Sequence, residues 1–328
     1  MTYKTKNKTK TKKQKKNKKY SQKKKYRQKG GSLSIKALTY NLSWASQKNV
    51  ALGSEADFVK QCNSVNRNCY NEALKQVEEL HKIHNFDIIG IQEVEDPELV
   101  TKIINLTKLQ GFYRGATWNS LPNANIYSGC AIFWNTEKLG LMKSCKTINL
   151  ATPRAEDNLC DGRTCCIVTT TKNIHLIVAH FPWINSQEDI NKISKIMNTH
   201  ISPYGPIIIL ADTNDSKTLI SSENPLIVQN RQLSHGLTKT EARPRLNSCC
   251  WHKVDHKAGY GHFNTTGDYI LSENVQDINI PIAPPSNNID EQNLYSDHMP
   301  VIATVIINIK PGINIKPGIS TLKKYETI

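Results

Sequence analysis

Residues 206–215, PIIILADTND, decide how this sequence is interpreted. The four apolar residues 207–210 are typical of a strand that is buried on both faces. They run through an alanine into Asp212 and Asn214 with no glycine or proline between them. Asp and Asn side chains often bond to their own backbone and close a strand, so a simple turn is one explanation. A site built on the end of a buried strand is the other, and the ends of the remaining strands decide between them.

Six segments of the chain carry amide, carboxylate or imidazole side chains where they enter or leave an apolar run. These side chains are Asn41 after SIKALTY, Gln92 and Glu93 after FDIIGI, His180 after NIHLIVA, Asp212 and Asn214 after PIIILA, Asp268 before YIL, and Asp297 and His298 before MPVIATVIINI. Six independent turns of this composition would be a coincidence. If the strand ends meet at one edge of the core, they form a pocket with oxygen ligands for a hard cation and two imidazoles for proton or phosphate handling.

Hydrophobic periodicity predicts alternating strands and helices, which indicates an α/β fold. The predicted strands are residues 34–41, 86–93, 111–118, 128–135, 163–171, 173–180 and 206–211, a segment around Ile270, and 300–309. The predicted helices are one around the stripe of Ala73, Val77 and Leu80, one opened by Asp96 and Pro97, and one over 186–200. The close succession of strands between 111 and 180 suggests antiparallel pairing. One domain spanning residues 32–308 is the simplest account.

Seven short motifs in this order and spacing resemble the endonuclease/exonuclease/phosphatase superfamily, which has the DNase I-like fold. They are TYN (39–41), IQE (91–93), SGCAIF (128–133), AHFP (179–182), ADTN (211–214), GDYIL (267–271) and SDHMPV (296–301). The resemblance covers residues 38–305. It implies a four-layer α/β/β/α sandwich, in which two packed β-sheets are flanked by helices. It also implies a divalent-metal-dependent phosphoesterase site at one end of the sandwich.

The resemblance implies a role for each polar residue at a strand end. Glu93 resembles the principal ligand of Mg²⁺ or Mn²⁺, helped by Asn41 and Asp297, because magnesium keeps several waters and needs few protein ligands. Asp212 matches the residue that orients and deprotonates the attacking water, and Asn214 the one that holds that water or the phosphate.

The remaining roles concern the phosphate. Asp268 matches the carboxylate that pairs with the histidine of the last motif, His298, and so favours its imidazolium form. His180 is expected to contact the phosphate from the opposite side and to be a candidate general acid. Arg154 and Arg163 are candidate phosphate contacts, although arginines on a solvated surface are the more common case.

The net charge lies in the N-terminal segment. Residues 1–31 hold fourteen Lys and one Arg and no acid, whereas the other 28 basic residues equal the 28 acidic residues of the chain. Such a segment is too polar and self-repelling to fold unaided, so we expect a disordered tail that binds polyanions and grips nucleic acid. An import signal and a solubilising leader are the alternatives. Residues 309–328, which repeat NIKPGI, are expected to form a peripheral extension.

Targeting signals point to an intracellular protein of the nucleus or cytoplasm. The tail has no apolar stretch like that of a secretory signal, and the sequence has no transmembrane segment of eighteen or more apolar residues. A lysine-rich tail that ends in Gly30 and Gly31, a candidate flexible joint, resembles tails on proteins of large DNA viruses. The sequence does not predict the oligomeric state.

Nine cysteines do not form an even disulfide framework, so we expect mostly reduced thiols. Because neighbouring side chains of a strand point to opposite faces, Cys165 and Cys166 are expected to place only one sulfur inward. Segment 249–262 raises a further hypothesis, a zinc site with four ligands, although its spacing matches no strong finger pattern. The ligands would be Cys250, His252, His256 and His262.

Departures from the family motifs bear on the substrate. Ser43 stands where abasic-site endonucleases have an acid, and Thr266 and Gly267 precede Asp268 where they have an arginine nearby. The segment 248–271 lacks the Pro-x-Trp-Cys-Asp-Arg pattern of inositol-polyphosphate phosphatases. The leading hypothesis is a nuclease or nucleic-acid phosphodiesterase. The alternatives are a phosphomonoesterase or phospholipid/inositol-phosphate hydrolase on the same fold, and a non-enzymatic nucleic-acid-binding packaging protein.

Overall fold

The chain folds around two β-sheets that pack face to face. The computed structural model describes residues 31–43, 69–94, 98–121, 124–150, 163–214, 218–221, 225–237, 249–253, 261–265, 267–279 and 296–309. The calls on the tail 1–30, the extension 310–328, Arg154 and His256 lie outside these ranges. No helix within them is long and apolar enough to span a membrane.

The first sheet has six strands, and its central strands β1 and β2 run parallel. In spatial order the strands are β14 (Val275–Asn279), β15 (Val301–Ile309), β1 (Gly31–Asn41), β2 (Ile88–Val94), β4 (Ala124–Trp134) and β3 (Gln110–Leu121). The pairing of β1 with β15 joins Gly31 to Ile309, one residue beyond each predicted end of the domain. Gly31 is therefore the first residue of a strand rather than part of a joint.

The second sheet has five strands, and β7 and β8 run parallel within it. In spatial order the strands are β13 (Asp268–Ser272), β8 (Ile207–Asp212), β7 (His175–His180), β6 (Thr164–Thr170) and β5 (Met142–Asn149). The strands between residues 110 and 180 pair antiparallel within each sheet, as predicted. Two small ribbons complete the strands, β9 (Ile227–Val228) with β10 (Arg231–Gln232) and β11 (Cys249–Lys253) with β12 (Gly261–Thr265).

Helices cover the outer face of each sheet, so the predicted four-layer sandwich is confirmed. The helices are α1 (Cys69–His84), α2 (Glu98–Thr107), α3 (Thr136–Leu139), α4 (Gln187–His200) and α5 (Thr218–Ser221). Helices α1 and α2 pack on the first sheet, where Ala73 and Val77 of α1 are buried beside Leu38 of β1. Helix α4 packs on the second sheet, and its N-cap Ser186 accepts a hydrogen bond from the Asp189 N–H at 3.3 Å.

Cysteine burial differs from the expectation for one pair. Cys166 lies in the core between the sheets and Cys165 in the core beneath α4, and both are fully buried. The prediction that only one sulfur points inward is wrong because the second sheet is covered on both faces. Both carry free thiols, as do Cys130 and Cys145, whereas Cys69 is disulfide-bonded.

The backbone of the zinc hypothesis lies partly in the ribbon of β11 and β12. His252 and His262 are partners across this ribbon, and Cys250 lies two residues before His252. The zinc site itself stays a prediction.

Candidate active site

Strand ends from both sheets meet at one edge of the sandwich. In the second sheet Asp212 is the register partner of His180 on one side and of Asp268 on the other. In the first sheet β1 ends at Asn41, which is the partner of Gln92. The Asn41 Nδ2 donates across the interface to the Asp212 Oδ2 at 2.8 Å. The parallel pair in each sheet therefore delivers its polar C-terminal residues to one shared site.

A β-bulge in β2 turns Glu93 toward the second sheet. The register between β2 and β4 shifts at this point, and Glu93 has a φ of 56°. In a regular strand, consecutive side chains point to opposite faces. Here the Gln92 Nε2 donates to the Leu210 carbonyl at 3.1 Å, and the Glu93 Oε1 lies 3.6 Å from the His180 Nε2. The bulge thus places two consecutive side chains between the sheets.

The two sheets approach each other closely just below the site. A Cβ added to Gly90 would lie 2.5 Å from the Leu210 Cβ, so only glycine fits there. Gln92 is fully buried and hydrogen-bonds across the same gap. Gly90 lies three residues before Glu93, and Leu210 lies two residues before Asp212. These contacts therefore set the separation of the two carboxylates.

Asp212 is the most connected side chain of the site. Its Oδ1 accepts from the Asn214 N–H at 2.9 Å, and its Oδ2 accepts from Asn41. The His180 Nε2 lies 3.3 Å from its Oδ2, and the His298 Nε2 lies 3.9 Å away. Burial alone would raise the pKa of Asp212, but the two histidines and the two hydrogen bonds outweigh it and lower the pKa. The carboxylate is therefore ionised and fixed in orientation.

His298 and Asp268 form a buried pair. The His298 Nδ1 lies 2.9 Å from the Asp268 Oδ2, and both residues are buried. Burial alone would lower the pKa of His298, but the carboxylates of Asp268, Asp297 and Asp212 raise it well above its ordinary value. His298 is therefore an imidazolium, and its Nε2–H can donate to an oxygen in the site.

Ser296 connects this pair to β1, a role that the sequence did not indicate. Its Oγ donates to the Asn41 carbonyl at 2.8 Å and accepts from the His298 N–H at 3.2 Å. It also lies 3.4 Å from the Asp297 Oδ1. Ser296 and Gln92 stood in the quoted motifs, but nothing in a single sequence separates such supporting residues from their neighbours.

His180 is in the opposite protonation state to His298. The Arg163 Nη1 contacts the His180 Nε2, and a guanidinium can only donate. Burial and then the charge of Arg163 lower the pKa of His180 to about 3. The ring is therefore neutral at pH 7, which favours a hydrogen-bonding role over the general-acid role. Its Nδ1 is buried and has no hydrogen-bond partner in the described part of the chain.

The donor set fits a hard divalent cation. Glu93, His180 and Asp212 offer ligand atoms within 4.8 Å of one another, and Asp212, Asp268 and His298 form a second such group. Carboxylates are costly to bury unless they are paired or bind a metal, and carboxylate and amide oxygens are the donors that Mg²⁺ prefers. Asp297 belongs to neither group, and the Asn41 side chain bonds to Asp212 and to the Ser43 N–H.

Solved structures share this fold. The catalytic domain of human Nocturnin with bound sulfate is 16% identical, with 86% of this chain and 98% of that chain covered and a TM-score of 0.50. The endonuclease/exonuclease/phosphatase from Beutenbergia cavernae is 14% identical, with 85% and 72% covered and a TM-score of 0.51. ANGEL2, a 2',3'-cyclic phosphatase, is 13% identical, with 84% and 95% covered and a TM-score of 0.51.

The sequence comparisons are silent. No protein-family model matches the chain, and no curated protein sequence matches it. The fold is nevertheless that of the endonuclease/exonuclease/phosphatase superfamily, which confirms the resemblance of the seven motifs.

Proposed function

We propose that this chain is a divalent-metal-dependent phosphoesterase that hydrolyses phosphodiester bonds of nucleic acids by in-line attack of water. The observation that carries the proposal is the meeting of Glu93 with His180 and Asp212 across the two sheets, beside the His298–Asp268 pair. Cation ligands, a water-orienting carboxylate and a cationic donor are what hydrolysis of an anionic ester requires. The shared fold with ANGEL2, a 2',3'-cyclic phosphatase, supports the phosphoester class.

The first component is the cation site. Glu93 would hold Mg²⁺ or Mn²⁺, with Asn41 and Asp297 supplying further oxygen donors. A bound divalent cation neutralises the charge of the phosphodiester and of the leaving oxygen. The β-bulge keeps the Glu93 carboxylate between the sheets, where this charge is needed.

The second component positions water. Asp212 is ionised and held from both sides, so its carboxylate can orient a water and accept its proton. Asn214 has a φ of 48°, and its Nδ2 donates to the Phe181 carbonyl at 2.8 Å. Its side chain is thereby fixed next to Asp212, where its amide oxygen can contact the same water or the phosphate.

The third component binds the phosphate. The imidazolium of His298 donates through Nε2, because Asp268 occupies Nδ1. Arg163, beside His180, is the nearer of the two arginine candidates and adds a permanent positive charge. His298 and Arg163 lie on different sides of Asp212 in the sheet order, so they can bind different oxygens of one phosphate.

Nucleic acid is the proposed substrate because of the charge distribution. The chain carries no excess charge after residue 31, so the tail supplies the long-range attraction to a polyanion. With this tail the protein would act in the nucleus or cytoplasm, where nucleic acid is present.

The test is a substrate panel with and without Mg²⁺. Single-stranded and duplex DNA, RNA, inositol phosphates and sphingomyelin vesicles are incubated with the protein, with Glu93→Gln, and with the control Glu188→Gln on the exposed face of α4. We expect nucleic-acid hydrolysis that EDTA abolishes and that Glu93→Gln reduces by orders of magnitude, with partial recovery at high metal concentration. Full activity in EDTA contradicts the metal mechanism, and hydrolysis of lipid or inositol phosphate alone contradicts the choice of substrate.

A further inference from the structure

An exposed tryptophan lies beside the site. Trp183 follows His180 by three residues and is 56% exposed. Tryptophan is highly buried on average, because it is large and mostly apolar. A single exposed apolar residue is common on protein surfaces, so the surroundings of Trp183 decide whether its position has a function.

The segment that carries Trp183 is fixed to two residues of the site. The Phe181 N–H donates to the Asp212 carbonyl at 2.7 Å, and the Asn214 Nδ2 donates to the Phe181 carbonyl. The Ile184 N–H donates to the Asn214 carbonyl at 3.4 Å. Trp183 therefore belongs to the same rigid unit as the residues proposed to orient the attacking water.

The flanking side chains hold the indole outside. Phe181 and Ile184 are both buried in the core beneath α4. They occupy the apolar positions of this short segment and leave Trp183 in solvent. An extended chain spans at most about 3.6 Å per residue, so the Trp183 Cα lies within about 11 Å of the His180 Cα. That distance is on the scale of one or two nucleotides along a strand.

We propose that Trp183 is a stacking platform for an unpaired base next to the scissile phosphate. The preferred substrate is then a single-stranded nucleic acid, because the bases of a duplex are already stacked on their neighbours. Stacking on an aromatic side chain tolerates any base, so the platform selects strand state rather than sequence. The inference rests on the proposed function and adds a strand preference to it.

The test measures binding in EDTA, so that it does not depend on turnover. The full chain, Trp183→Ala, Trp183→Phe and the control Tyr204→Ala are titrated with a labelled tetrathymidylate and with an abasic tetramer that has the same phosphates. Tyr204 is 75% exposed and precedes β8, at the opposite edge of the sheet from Asp212. Stacking contributes about 1–3 kcal/mol per base, so Trp183→Ala should weaken tetrathymidylate binding by about 5- to 150-fold.

The matched ligands and variants separate the outcomes. We expect Trp183→Ala to leave binding of the abasic tetramer unchanged, Trp183→Phe to retain most of the affinity, and Tyr204→Ala to change neither. An equal loss on both tetramers, or no loss on either, overturns the platform. Loss of binding to phosphatidylserine vesicles with unchanged tetrathymidylate binding also overturns it and indicates a membrane contact. Hydrolysis with Mg²⁺ is scored separately, so a failure of the proposed function shows there and not in the binding ratio.

Discussion

Replacement of Asp268 by Asn tests whether His298 and Asp268 act as one unit. The change keeps the shape of the side chain but removes the carboxylate that accepts from the His298 Nδ1 at 2.9 Å. Burial then opposes the charge of His298 with less compensation, so the pKa of the ring should fall. The proposed phosphate contact would lose its positive charge.

The expected magnitudes follow from the burial of the pair. Groups positioned for proton transfer or charge stabilisation contribute about 10²- to 10⁴-fold in rate, and we expect kcat to fall within this range. Removing one partner of a buried ion pair costs about 3–5 kcal/mol of stability. Because the folded pKa of His298 is raised, this stabilisation is fully present below the unfolded pKa of about 6.5 and is lost as pH rises through the folded pKa. The stability difference between the wild type and Asp268→Asn should therefore shrink at alkaline pH.

Steady-state kinetics and urea unfolding of four proteins provide the assay. These are the wild type, His298→Ala, Asp268→Asn and the double variant, each checked for native circular dichroism. If Asp268 acts through His298, the double variant should be little slower than His298→Ala alone. Additive losses of activation free energy would refute the pairing, and an unchanged pH dependence of the stability difference would refute the raised pKa.

Two further predictions concern the tail and the gap between the sheets. Deleting residues 2–30, which leaves Gly31 to begin β1, should flatten the salt dependence of DNA binding by about 0.9 log units per log unit of salt for each phosphate released, while turnover of a saturating short substrate is retained; an unchanged slope would show that the tail does not grip nucleic acid. Gly90→Ala should cost about 1–3 kcal/mol in urea unfolding and lower activity, because its Cβ would push Leu210 and the Asp212 strand away from Glu93; full activity would show that the gap is not critical.

The sequence predicted the elements whose burial gives them a period. Helix α4 begins after Ser186 as predicted, because its cap and apolar stripe are both local signals. Strand β5 was missed, since it lies at the edge of its sheet with residues 143–147 all exposed and shows no alternation. The separation of β4 and β6 into different sheets was also missed. Strands that succeed each other along the chain give no signal for the sheet that each one joins.

The site was predictable in its membership and not in its geometry. Strand ends revealed Asn41, His180 and Asp212, because a carboxylate or imidazole after a buried run is unusual. The bulge at Glu93 is not visible in the sequence, since it depends on the register of β2 against β4. The protonation states of the two histidines depend in the same way on contacts between strands that are distant in sequence.

The backbone conformations show that the site is held together at some cost. Ser43, Glu93 and Asn214 are not glycine, yet all three have φ near 50°. Such conformations cost about 1–3 kcal/mol each and persist only where the surroundings enforce them. Each follows the end of a strand that enters the site, and each reorients the chain after a buried run. The carboxylate, the amide and the turn that supports Asn41 are thus positioned by strain that the close contact of the two sheets sustains. A fold with two parallel strand pairs can therefore assemble one site from motifs that are individually weak, because the sheet interface rather than any single motif fixes their geometry.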